Sequence, residues 1–129
     1  MRQHFNMKAW IGVVVLVGTL ASGSAIAQDG NKLLDYCQAA IRFDDTKKVD
    51  EEVSIGYCLG LMQGVRSLIV YTNTGIPIEK QTCLPLSGIS NGQTARVVVK
   101  YLKENPEQLH QDEGILTLLA LRHAFPCKG

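Results

Sequence analysis

The residues best equipped for chemistry are four cysteines, Cys37, Cys58, Cys83 and Cys127, with His123 close to the last of them. His123 and Cys127 stand four residues apart, so Cys58 or Cys83 could join them in a zinc site or a Cys/His nucleophile. The spacing completes no metal signature, and Pro126 interrupts the helix that would align the pair. No G-x-S-x-G, H-E-x-x-H or P-loop occurs. The adjacent acids Glu51/Glu52 and Asp112/Glu113 fall near helix starts and read as complements to the helix dipole rather than as an acid/base pair. The sequence therefore predicts neither an enzyme nor a metal or cofactor site.

What the cysteines do instead depends on the compartment. Arg2 and Lys8 make a positive start, Ala9 to Leu20 is an uncharged apolar run, and Ala25-Ile26-Ala27 is an A-x-A cleavage signature. A run of a dozen residues is short of the ~20 that a membrane span needs, and no cysteine follows it to accept a lipid. Residues 1–27 are expected to be a secretory signal removed after Ala27, taking Trp10 with it. Residues 28–129 remain as one exported domain without a membrane anchor. Of 13 basic and 12 acidic residues in the chain, the signal carries two bases and no acid. The near-neutral remainder has no basic footprint for nucleic acid. An even number of cysteines in a small exported domain reads first as a disulfide framework, although spacing alone leaves three connectivities open.

The elements that must position these cysteines are helices. Leu33, Cys37, Ala40 and Ile41 give one apolar face between Lys32 and Phe43. Asp44 to Lys48 then read as a charged, solvated turn. A second helix starts near Asp50, with acids in its first turn, and runs through Val53, Tyr57, Leu61, Val65, Leu68 and Ile69. It ends before Asn73-Thr74-Gly75-Ile76-Pro77. Within it Gly56, Gly60 and Gly64 recur every four residues. Each costs ~1 kcal/mol against alanine in a helix interior, so the stripe is expected to mark a face where another helix of the fold approaches closely. Gly75 to Ile89 has no period and is tied down by Cys83. Ser90 and Gln93 form a capping box before Ala95, Val98 and Leu102. Asn105-Pro106 reads as the cap and first position of a last helical region, through Leu109, Leu116, Leu119 and Ala120. Gly114 is placed as a bend within it, and Pro126 as its stop.

The expected fold is all-α, a small bundle of about four helices in two antiparallel hairpins. A turn near residues 44–49 sets Cys37 and Cys58 at matching height. A turn near Lys103 to Asn105 brings the segment before Ser90 beside the segment after Phe125. This layout favours Cys37–Cys58 and Cys83–Cys127, worth ~3–4 kcal/mol each by chain entropy. A domain this small depends on such staples.

The motifs also resemble a known family. The segments Gly56-Tyr57-Cys58-Leu59-Gly60-Leu61-Met62-Gln63-Gly64, Cys83-Leu84-Pro85, Val98-Val99-Lys100-Tyr101-Leu102, Asn105-Pro106-Glu107, Leu109-His110 and Ala124-Phe125-Pro126-Cys127, with Gln93, resemble the Rap/Tai-type immunity proteins. The resemblance covers nearly all of the chain after the signal. It implies a periplasmic protein, often a homodimer, that neutralises a peptidoglycan amidase delivered by type VI secretion by occupying the amidase's Cys/His cleft. An inhibitor of a cleft enzyme must present something that protrudes. Two stretches qualify, the Thr74–Ile89 connection and the Lys103–Asp112 hairpin. The connection is expected to be mainly packed. The hairpin gathers Glu104, Asn105, Glu107, Gln108 and His110, and is the expected partner-binding element, with Glu107 and His110 foremost. The alternatives are an acid-activated periplasmic chaperone, for which no acid switch is marked, and a non-enzymatic envelope protein.

Overall fold

A computed structural model describes residues 28–128, and the expected signal, residues 1–27, lies outside them. Helix α1 (Gly30–Thr46) is capped by Asp29, whose carboxylate accepts from the amides of Asn31 and Lys32 at 3.0 and 3.2 Å. The helix runs past its apolar period at both ends. Asp44 and Asp45, placed by sequence in a solvated turn, belong to its last turn and receive Arg96 of a later helix at 3.1 and 2.6 Å. Lys47, in the left-handed region at φ 58°, closes it.

Helix α2 (Glu52–Thr72) and helix α3 (Asn91–Glu104) follow the expected bounds closely. Ser90 Oγ accepts from the Gln93 backbone amide at 3.0 Å, so the Ser90 half of the predicted box forms, with no return bond from the Gln93 side chain among the described residues. Val97 to Val99 are helical. The last region departs from expectation. Pro106 to Gln108 make only a single 3-10 turn. Asn105 does not cap the next helix; its side-chain nitrogen donates to the Tyr101 carbonyl at 2.8 Å and finishes α3. Helix α4 (Glu113–Ala124) begins at a separate cap, Asp112, which accepts from the amides of Gly114 and Ile115 at 2.9 and 3.1 Å. Gly114 therefore lies in the first turn of α4 and bends nothing.

The described residues form the four-helix, all-α fold the sequence predicts, with the two expected disulfides, Cys37–Cys58 and Cys83–Cys127. Helix α1 packs against both α2 and α3, and α3 against α4. Leu33, Cys37, Ala40, Cys58, Met62, Ala95, Val98, Leu102, Leu116 and Ala120 make the main core. Val65, Ile69, Ile89 and Leu121 form a second cluster. Thr94 and Thr117 are fully buried, and each hydroxyl donates to the carbonyl one turn earlier, so neither leaves a polar group unpaired.

The close-packed glycine lies elsewhere than predicted. A Cβ on Gly56, Gly60 or Gly64 would meet no atom within 4 Å among the described residues. The buried positions of α2 are Ile55, Cys58, Met62, Val65 and Ile69, in steps of three and four. That pattern turns the glycine stripe to the opposite side. Gly30 is the position that needs hydrogen: a Cβ there would sit 2.9 Å from the Leu109 backbone. It lets the start of α1 lie against the segment before α4, where its amide donates to the Gln111 carbonyl at 3.2 Å.

Candidate partner-binding surface

The connection between α3 and α4 separates the predicted contact residues into two kinds. Asn105 is half-buried and bonded to Tyr101, and Gln108 Oε1 accepts from the Tyr101 hydroxyl at 3.0 Å. Both hold the turn to the body of the fold. Glu104 is exposed and lies 3.6 Å from Lys100, one helical turn earlier. Glu107 and His110 are exposed, and their side chains have no hydrogen-bond or ion-pair partner among the described residues. The far side of the turn is braced by α1, whose Asn31 side chain donates to the Leu109 carbonyl at 3.4 Å. The result is a short, anchored turn presenting one acid and one imidazole to solvent. An anchored contact side chain loses less freedom when it binds than one on a mobile loop.

The second stretch, between α2 and α3, is also tied down, but not packed as expected. The Asn73 side chain both donates to the Thr82 carbonyl at 2.8 Å and accepts from its amide at 2.9 Å. Cys83 donates its amide to the Phe125 carbonyl at 2.8 Å, beside the disulfide to Cys127. Yet Ile76, Ile78 and Leu86 are exposed, the last of them completely. The connection borders a furrow of about 180 Å³ lined by Ile76, Lys80, Leu118, Leu119 and Arg122 among others. On α2, Val53, Leu68, Val70 and Tyr71 are exposed as well. Between Val53 and Thr72 the exposed positions of α2 carry no charge. Sequence reasoning missed this surface because it read the Gly56, Gly60 and Gly64 stripe as a face covered by another helix of the fold. The signal was available in Cys58: with its disulfide set inward, the residues two positions away, Gly56 and Gly60, turn outward.

The other chemistry-bearing residues are structurally occupied. Cys127 is in a disulfide, and His123 is exposed with its ring 5.8 Å from that of Tyr101. Among the described residues no three His, Cys, Asp or Glu side chains group as a metal site. The most perturbed pair is Tyr57 on α2 and Glu113 on α4, where the phenol donates to the carboxylate. Burial first, and then the bond to Glu113 and its charge, push the Tyr57 hydroxyl up to about 12. Burial also raises Glu113 above the ordinary carboxylate value, with the Tyr57 hydrogen bond opposing and neighbouring Asp112 adding to the rise.

A family model described as Rap1a immunity proteins matches residues 29–127, from the cap of α1 to the last cysteine. No curated protein and no solved structure matches the chain.

Proposed function

Because the chain belongs to the Rap1a immunity protein family, we propose that it acts in the periplasm as an immunity protein against a type VI secretion effector. The effector is a peptidoglycan amidase, and the protein inhibits it by covering its Cys/His cleft. The protein contributes binding and no reaction of its own. The observation that carries this reading is the family match, which spans the whole helical domain. Signal removal after Ala27 and export belong to the same reading, and two disulfides suit an oxidising compartment.

The inhibitory element is the turn between α3 and α4, with Glu107 and His110 as the contacts, supported by their exposure and by the anchoring of Asn105 and Gln108. Glu104 contributes at the edge. The protein pairs with a second copy through the outer face of α2. Val53, Gly56, Gly60, Gly64 and Tyr71 form an exposed, uncharged stripe along that face, which supports the pairing.

Pull-down from a periplasmic extract tests the function. Recovery of a single amidase supports immunity, while a broad set of unfolded clients would favour the chaperone reading. With that amidase in hand, Glu107→Lys combined with His110→Ala should weaken inhibition and leave the melting temperature nearly unchanged. Inhibition that survives this pair but is lost on altering Glu79 to Gln81 would transfer the role to the other connection.

A further inference from the structure

Removal of the signal would make Gln28 the first residue of the chain, and its place in the fold gives that residue a chemical consequence. A glutamine with a free α-amine carries its own electrophile. The amine can attack the side-chain carboxamide carbon, closing a five-membered lactam and expelling ammonia. Nucleophile and electrophile sit on the same residue, so the step is intramolecular and needs no co-reactant.

The structure separates the part of Gln28 that holds the fold from the part that would react. Its carbonyl oxygen accepts from the Glu113 amide at 3.2 Å, beside the bridge between Asp29 and Asp112. Neither its backbone nitrogen nor its carboxamide makes a hydrogen bond among the described residues, although Oε1 is shielded from solvent. Ring closure consumes the amine and the carboxamide and leaves the carbonyl in place. The anchor between the starts of α1 and α4 therefore survives the reaction. Closure also removes a positive charge immediately before the cap of α1, where the positive end of the helix dipole opposes a cation.

We propose that Gln28 is a modification site: the mature chain begins with a pyroglutamate, formed by cyclisation of Gln28 with loss of one ammonia. The inference rests on cleavage after Ala27. Its consequence is a blocked N-terminus that exported aminopeptidases cannot enter, at the corner where α1 and α4 meet.

Intact-mass measurement on the full chain expressed and recovered from the periplasm tests both steps separately. The expected species is residues 28–129, oxidised at both disulfides and lighter by one ammonia, its fraction growing as the purified protein is held at neutral pH. Peptide mapping should place the loss on the N-terminal peptide, because Asn91-Gly92 can also lose ammonia by forming a succinimide. Pyroglutamyl aminopeptidase should then expose Asp29, and Gln28→Ala should abolish the loss. A chain that begins at Gln28 and keeps its ammonia through prolonged incubation overturns the cyclisation and leaves the signal reading standing. A chain that retains Trp10, or begins at another residue, overturns the signal reading and the cyclisation with it.

Discussion

The two disulfides close loops of very different length, one wholly buried and the other exposed at one end. Cys37 and Cys58 are separated by 21 residues and are both fully buried, between α1 and α2. Cys83 and Cys127 are separated by 44 residues, and Cys83 is exposed while Cys127 is buried. Chain entropy alone ranks the longer loop higher, by less than about 1 kcal/mol. Burial reverses the order. The inner sulfurs fill core volume in the cluster that holds Met62 and Leu33, so removing them adds a cavity to the lost crosslink. The outer bond instead fixes a connection whose apolar residues Ile76, Ile78 and Leu86 stay in solvent. One bond belongs to the core, and the other holds a surface in shape.

Replacing both Cys37 and Cys58 by alanine should give the largest effect, a loss of about 5 kcal/mol from crosslink and cavity together. That approaches the whole stability of an ordinary domain, so denaturant titration should find the variant largely unfolded. The Cys83→Ala, Cys127→Ala pair should cost about 3–4 kcal/mol and leave the helical content intact. An equal or larger loss than the inner pair would show that loop length, not burial, sets the ranking. Gentle reduction of the native protein should open Cys83–Cys127 first, because thiolate attack needs access. Alkylation and peptide mapping would show which cysteines are labelled.

A smaller effect is expected where α2 meets α4. Glu113 is raised mainly by burial, so its folded value lies above its unfolded one. The stability it contributes is fully present below the unfolded value and is lost as pH rises through the folded value. Glu113→Gln should therefore flatten thermal stability between about pH 4 and neutrality, and melt at or above the parent at about pH 7. A parent whose stability instead rises across that range through Glu113 would contradict the buried setting.

The smallest effect on the fold belongs to the exposed face of α2. Gly60→Leu replaces a poor helix former where a side chain meets open space. The melting temperature at low concentration should hold or rise slightly, by less than about 1 kcal/mol of stability. Sedimentation or light scattering should show the same substitution reducing any dimer. Severe unfolding would mean that the glycine face is covered within one chain after all.

Helix bounds were legible where apolar period and cap coincided, as at Ser90 and across α3. They were least legible where a charged segment continued a helix, as at Asp44-Asp45. The partner that rewards that continuation, Arg96, lies 51 residues beyond Asp45 in sequence. Asn105-Pro106 shows a second kind of failure. An Asn before a Pro is a fair start signal, but Asn105 served the preceding helix once its amide reached Tyr101, and Asp112 supplied the cap. The partner-binding set was only partly legible. Glu104, Asn105, Glu107, Gln108 and His110 share a turn in sequence, but local composition could not reveal that two of them are spent on holding it.

The sequence by itself determined the helical class and the Ser90 start of α3, and its hairpin layout favoured the observed pairing of the cysteines. Each follows from short-range periodicity and from two hairpin turns that bring definite positions level. Only the tertiary structure decided which side of α2 became interior. Helix α2 is apolar around much of its circumference, so its own pattern permits more than one inward face. Contacts with α1 and α3, and the bond from Cys58 to Cys37, chose Met62 over Gly60. Gly30 shows the same dependence, since its need for hydrogen comes from the backbone at Leu109, a neighbour that no local pattern names.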